Sequence, residues 1–277
     1  MESSDSLVVL KFGGAAVSSP ERFTDIAEII KLRSSSVRSL VVVVSAMGGT
    51  TDSLLELAHK VHPHPPSREL DMLVSVGERI SISLLAMALA RIGVEAVSFT
   101  GSQSGILTDE AHTNAKIIDV RPQRILKALN EGKIAIVAGF QGMSRRGGDI
   151  TTLGRGGSDT TAVVLAAALR AKQVEFYKDV GGVFDLDPKS HESAKKFPSM
   201  TYSEALTLTR GGAKILHSRC IEIAEKNHIA LWVRSFSKQD DADSSSTGTW
   251  IRDSQSGQTP AQHHSPIYEQ ISDEAID

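Results

Sequence analysis

The sequence predicts an α/β fold, a three-layer αβα sandwich with a mainly parallel central sheet. Leu7-Val8-Val9-Leu10 and Leu40-Val41-Val42-Val43-Val44 are apolar runs rich in β-branched residues and free of polar alternation, as expected of strands covered on both faces. A helical pattern lies between them, making a βαβ unit, and the alternation then recurs along the chain.

Taken in order, the first helix starts at Ser19-Pro20-Glu21, which supplies a cap residue, a proline in the first turn and an early acid. Phe23, Ile26, Ala27, Ile29 and Ile30 form its apolar stripe. An apolar helix follows around Leu70 to Ile92, then a strand near Val94 to Phe99, a helix near Pro122 to Asn130 and a strand over Ile134 to Ala138. Ala162 to Leu169 reads as a buried helix and Val174 to Tyr177 as the next strand. Thr201 with Glu204 makes a capping box for a later helix, and Ile229 to Val233 is the last expected core strand. From Lys238 the composition turns to Asp, Ser and Gln. Residues 1–252 are therefore expected to form one domain, and residues 253–277 a polar, disordered tail.

With 277 residues, 40% of them hydrophobic, the chain can bury a substantial core. A formal net charge of −3 gives no field that would favour nucleic acid or an anionic membrane, so a small-molecule ligand is expected. The single cysteine, Cys220, fits a reducing compartment and cannot build a multi-cysteine metal site. The N-terminus lacks the pattern of a signal peptide, and no apolar run approaches the roughly 18 residues of a membrane span. A cytoplasmic location follows as an expectation.

The chemistry concentrates just after the apolar runs, where sheet-and-helix proteins bind ligands. Thr151-Thr152-Leu153-Gly154-Arg155-Gly156-Gly157-Ser158-Asp159-Thr160-Thr161 joins a glycine-rich loop to the start of an apolar helix. Such a turn reads equally as an anion site, with Arg155, Ser158 and the helix N–H groups meeting a phosphate or carboxylate, or as a capped helix with a flexible entry. Lys11-Phe12-Gly13-Gly14 closes the first strand with a cation and a glycine pair, without P-loop spacing. Ser45-Ala46-Met47-Gly48-Gly49-Thr50-Thr51 repeats the design after the second long strand. Glu78 and Arg79 interrupt an apolar helix, either to meet a cationic ligand group or, as spacing alone favours, to face water. His217, beside Ile215 and Leu216, reads as a packed structural residue, and no residue is assigned to a metal.

These motifs, with Gly77-Glu78-Arg79-Ile80-Ser81 and Gly101-Ser102-Gln103-Ser104-Gly105 in the same order, resemble the catalytic part of aspartokinases, within the amino-acid kinase superfamily. The resemblance runs from about Leu7 to Ile251. It implies phosphorylation of the side-chain carboxylate of L-aspartate by ATP with Mg²⁺, the entry step to lysine, threonine and methionine synthesis. It also implies catalytic roles for Lys11 and Asp159, with Lys11 stabilising the transferred phosphoryl group and Asp159 holding the lysine. Thr50, Thr51, Glu78, Arg155, Gly156, Gly157 and Ser158 would bind the substrate. Lys11, Phe12, Gly13, Gly14, Ser45, Tyr177, Lys178, Asp179, Phe184, Lys189 and Lys214 would bind the nucleotide.

The chain departs from the family pattern at Ala15-Ala16, where a hydroxyl pair is usual, and at Lys178, Gly181 and Ser218. No paired ACT-type regulatory domains are expected after Ile251, and a homodimer is compatible with the superfamily. Two other readings remain at this point: a sister kinase acting on acetylglutamate or a nucleoside monophosphate, and a weakly active or non-catalytic regulatory homologue.

Overall fold

A computed structural model describes residues 6–213, 215–236, 248–253 and 265–269. Along the chain lie β1 (Leu7–Phe12), α1 (Pro20–Ser34), β2 (Ser39–Val44), α2 (Thr50–Val61), α3 (Ser67–Val74), α4 (Val76–Arg91), β3 (Ala96–Phe99), β4 (Ile106–Thr108), β5 (Ile117–Val120) and α5 (Gln123–Asn130). They are followed by β6 (Ile134–Ala138), β7 (Gln141–Ser144), β8 (Ile150–Thr152), α6 (Gly157–Leu169), β9 (Gln173–Lys178), β10 (Val183–Phe184), β11 (Lys196–Phe197), β12 (Ser199–Met200), α7 (Tyr202–Arg210), α8 (Ser218–Lys226), β13 (Ala230–Ser235) and β14 (Thr249–Ile251).

The main sheet has the order β12-β14-β13-β9-β1-β2-β6-β3, and it is parallel from β13 through β3. Strand alternation divides its core in two. Val8, Leu10 and Phe12 of β1 pack with Phe23, Ile26 and Ile30 of α1 and Ile82, Leu85 and Leu89 of α4. Val9 turns to the opposite layer, with Val163 and Val164 of α6 and Ile221 of α8. Each fully buried aliphatic or aromatic side chain of this kind stabilises the fold by about 1.5–3 kcal/mol. The period of two also places Lys11 on the face that looks toward α6.

A second sheet, β5-β4-β7-β8, was not visible in the sequence. Its strands are three or four residues long and pair mostly antiparallel, too short for a clear period. Gly101 and Gly105 are structural here: a Cβ on either would lie 2.1 Å from the Gln141 carbonyl oxygen or 2.0 Å from that of Arg121. The Thr201–Glu204 capping box forms as expected, whereas β14, beyond the last expected core strand, extends the sheet.

Two expectations need correction. The helical run Ser67–Arg91 is, by length and composition, apolar enough to cross a membrane, so the expected absence of such a run fails. Only 44% of its most apolar window is buried, and Met72, Val76, Ile80 and Met87 are exposed. The run nevertheless carries Asp71 and Glu78 into the interior, where each accepts backbone N–H bonds. Residues 265–269, assigned to a disordered tail, are docked: Tyr268 packs against the core and Ile267 exchanges two hydrogen bonds with the Asn227 side chain.

Candidate active site

Parallel pairing aligns the carboxyl ends of β1, β2, β6 and β9 along one edge. Lys11, near the end of β1, places Nζ 2.5 Å from Oδ1 of Asp159 in the first turn of α6, with both side chains nearly buried. The helix N-terminus adds to the positive environment of the carboxylate. Burial alone would raise the Asp159 pKa, but Lys11, Lys178 and the His217 N–H outweigh it and hold it below the usual carboxylate range. Lys178, at the end of β9, has its own pKa lowered by burial and by Lys11, against the pull of Asp159. Its Nζ donates to the Ile215 carbonyl. Two lysines thus converge on one carboxylate.

Gly13 and Gly14 bring the β1–α1 loop against the β2–α2 loop. A Cβ on Gly14 would sit 3.2 Å from the Ala46 carbonyl oxygen, and one on Gly13 3.3 Å from Lys11 Nζ. Gly77 explains itself in the same way: its missing Cβ would lie 2.7 Å from the Ala46 Cβ and 3.5 Å from Thr50 Cγ2. That close approach lets Glu78 Oε1 accept the Ala46 N–H at 3.0 Å. Glu78 is 3% exposed and its Oε2 has no hydrogen-bond partner. The expectation from spacing, that Glu78 faces water, is therefore wrong. Burial pushes its carboxyl up to about 7, opposed by the Ala46 N–H, its own N–H and the charge of Lys11.

The glycine-rich loop connects β8 to α6. Gly154 and Gly156 have φ of +71° and +74°, values that side-chain-bearing residues rarely adopt. Gly156 is also the α6 N-cap, and a Cβ there would lie 2.3 Å from the Cβ of His217. Arg155 is exposed at the loop tip, Gly157 and Ser158 are buried, and the Ser158 side chain lies where a Cβ on Gly139, just past β6, would be. Ser45 and Thr51 are half-buried at the neighbouring loop and helix start, and Gly49, at φ +77°, begins the helix that carries Thr50 and Thr51.

The structure separates the remaining candidates. Phe12 and Tyr177 stack at 4.6 Å between ring centroids with 0% and 3% exposure, so their side chains are core and only their main chain can meet a ligand. Both had been expected to bind nucleotide, but strand alternation points them into the α1–α4 layer. Lys189 pairs with Asp179 on the exposed rim, beside half-buried Phe184. Lys214 lies outside the described residues. Sequence reasoning missed Ala46, whose contribution is a main-chain N–H, and His217. The main chain of the latter helps to lower the Asp159 pKa, and its side chain covers Gly156 and keeps a buried Nδ1 without a partner. Only its place three residues after Lys214 hinted at this.

The model of the amino acid kinase family matches residues 6–235. The chain belongs to that family. It is 54% identical over 230 residues to the aspartokinase of Corynebacterium glutamicum, covering 83% of this chain and 55% of that protein. Among solved structures, aspartate kinase from Synechocystis superposes with a TM-score of 0.80 at 42% identity, covering 96% of this chain and 42% of that one. E. coli aspartokinase III in complex with aspartate and ADP gives 0.78 at 28% identity, covering 89% and 64%. The chain spans about half the length of the curated relatives it matches.

Proposed function

We propose that this amino acid kinase chain transfers the γ-phosphoryl group of ATP to the side-chain carboxylate of L-aspartate, giving 4-phospho-L-aspartate and ADP. The observation that carries the reading is Glu78, a buried carboxylate with one unpartnered oxygen, set in the same cleft as the Lys11–Asp159 pair. An amino-acid ammonium is the cation that would satisfy it, and Arg155 offers the α-carboxylate a matching fork.

A carboxylate oxygen attacks the γ-phosphorus, the bond to the β–γ bridging oxygen breaks, and its electron pair leaves with ADP. The nucleophile is already ionised, so no proton has to move. The chain's task is positioning and charge neutralisation. Lys11 meets the transferring phosphoryl oxygens while Asp159 holds the amine in place. Gly13 lets Lys11 Nζ lie against the loop and Gly14 lets it close on Ala46, and the main-chain N–H groups of that loop are placed to meet phosphate oxygens.

Among the described residues, no three His, Cys, Asp or Glu side chains come together as a metal cage. Mg²⁺ would accordingly be held mainly by ATP phosphates, supplying charge neutralisation there. A coupled assay with L-aspartate, acetylglutamate and UMP as alternative acceptors tests the reading. ADP release dependent on L-aspartate alone, and lost in Lys11→Ala, is expected; release with another acceptor, or with none, overturns it.

A further inference from the structure

We propose that Glu269 and Arg219 form a strap that positions the glycine-rich substrate loop. Glu269 attaches to β5 twice: its N–H donates to the Ile117 carbonyl at 3.2 Å, and the Ile117 N–H donates to its Oε2 at 2.7 Å. From α8, the Arg219 guanidinium donates to both carboxylate oxygens of Glu269. Its remaining N–H groups donate to the Leu153 carbonyl at 2.6 Å and the Ala115 carbonyl at 2.6 Å. Both side chains are about 15% exposed, so one charge without the other would be poorly solvated.

The two carbonyls lie directly beneath the loop. Leu153 precedes Gly154-Arg155-Gly156, while the Ala115 N–H donates to the Thr152 carbonyl at 2.9 Å. Oδ1 of Asn114 stands 2.8 Å from where a Gly154 Cβ would be. One guanidinium therefore ties together the two chain segments that underlie Arg155 and Ser158. Asn227, bonded to Ile267, and Tyr268, packed on the core, fix the segment that presents Glu269. Neither residue reaches the Lys11–Asp159 pair, so the strap is a positioning device for one substrate. Which substrate it serves rests on the aspartate reading above.

Glu269→Gln keeps an acceptor for the Ile117 N–H while removing the charge that holds Arg219. We expect hydrogen exchange to rise about tenfold or more in peptides covering 113–117 and 150–157, with 7–12 and 39–44 unchanged. The KM for L-aspartate should rise about 5- to 30-fold, with kcat and the KM for ATP within about threefold. Arg219→Lys, whose single ammonium cannot serve four acceptors, should reproduce both results in a variant that retains the charge. Unchanged exchange at 150–157, or an increase spread equally over 7–12 and 39–44, in whichever variant folds, would overturn the strap. If the unaltered chain shows no aspartate-dependent turnover, the kinase reading fails and the exchange result alone decides the strap.

Discussion

Glu78→Gln tests the electrostatics of the site directly. The Glu78 carboxyl is pushed from an ordinary 4.5 to about 7, chiefly by burial. Between those pH values the folded chain holds a proton that the unfolded chain has released, so stability falls as pH rises and levels off above about 7. A displacement of this size corresponds to about 3 kcal/mol. The neutral amide can keep the Ala46 N–H bond without carrying a buried charge. Urea unfolding at pH 5, 6, 7 and 8 should therefore show the stability difference, unaltered chain minus variant, falling by about 2.5 kcal/mol over that range. Substrate binding should show the reverse preference, because an ammonium facing Oε2 favours the ionised form. The apparent KM for L-aspartate should improve as pH rises through about 7, and the variant should lose that dependence. Parallel stability curves for the two proteins would refute the assignment of a raised pKa to Glu78.

Two further substitutions address the frame and the lysine pair. Gly77→Ala places a methyl 2.7 Å from the Ala46 Cβ, so a cost of about 1–3 kcal/mol in unfolding and a raised KM for L-aspartate are expected as Glu78 moves off the Ala46 N–H. Asp159→Asn leaves Lys11 and Lys178 without their shared countercharge. It should lower stability by about 3–5 kcal/mol and kcat by at least about a hundredfold, measured by thermal unfolding and the coupled assay.

The parallel half of the fold was legible because it is written in long apolar runs. Leu40 to Val44 and Ile134 to Ala138 are buried from end to end, and a strand covered on both faces announces itself without context. The β4, β5, β7 and β8 sheet was not, since three or four residues cannot display a period and its glycines serve backbone crossings set by tertiary structure. In the site, Lys11, Asp159 and the glycine-rich loop could be read from motif order. Glu78 was assigned to the substrate by motif resemblance, while spacing alone favoured water: its direction depends on Gly77 letting the helix approach Ala46, so that Glu78 bonds a residue 32 positions away. For Phe12 and Tyr177 the motif did not reveal that alternation along β1 and β9 turns both rings into the core, leaving only their main chain to meet a ligand. The docking of 265–269 was hidden for a related reason, since its specificity lies in Glu269 and in a partner, Arg219, 50 positions away.

The cleft shifts the pKa values of two buried carboxylates in opposite directions. Asp159 meets two lysines and the His217 N–H and is held ionised, while Glu78 has one main-chain donor, one unpartnered oxygen and a lysine whose charge offsets burial only in part. Groups driven apart in this way take separate roles. Asp159 already has a countercharge in Lys11, paired with its Oδ1, and in the proposed mechanism it fixes that amine throughout a turnover, whereas the charged form of Glu78 gains its missing partner when a cation arrives. If the two carboxylates exchanged surroundings, the lysine would lose its anchor in the empty site and the substrate ammonium would meet a group already neutralised. In the proposed function, recognition of an amino acid depends on the incomplete hydrogen bonding of Glu78, and a substitution that supplied its missing donor would stabilise the empty protein at the expense of binding.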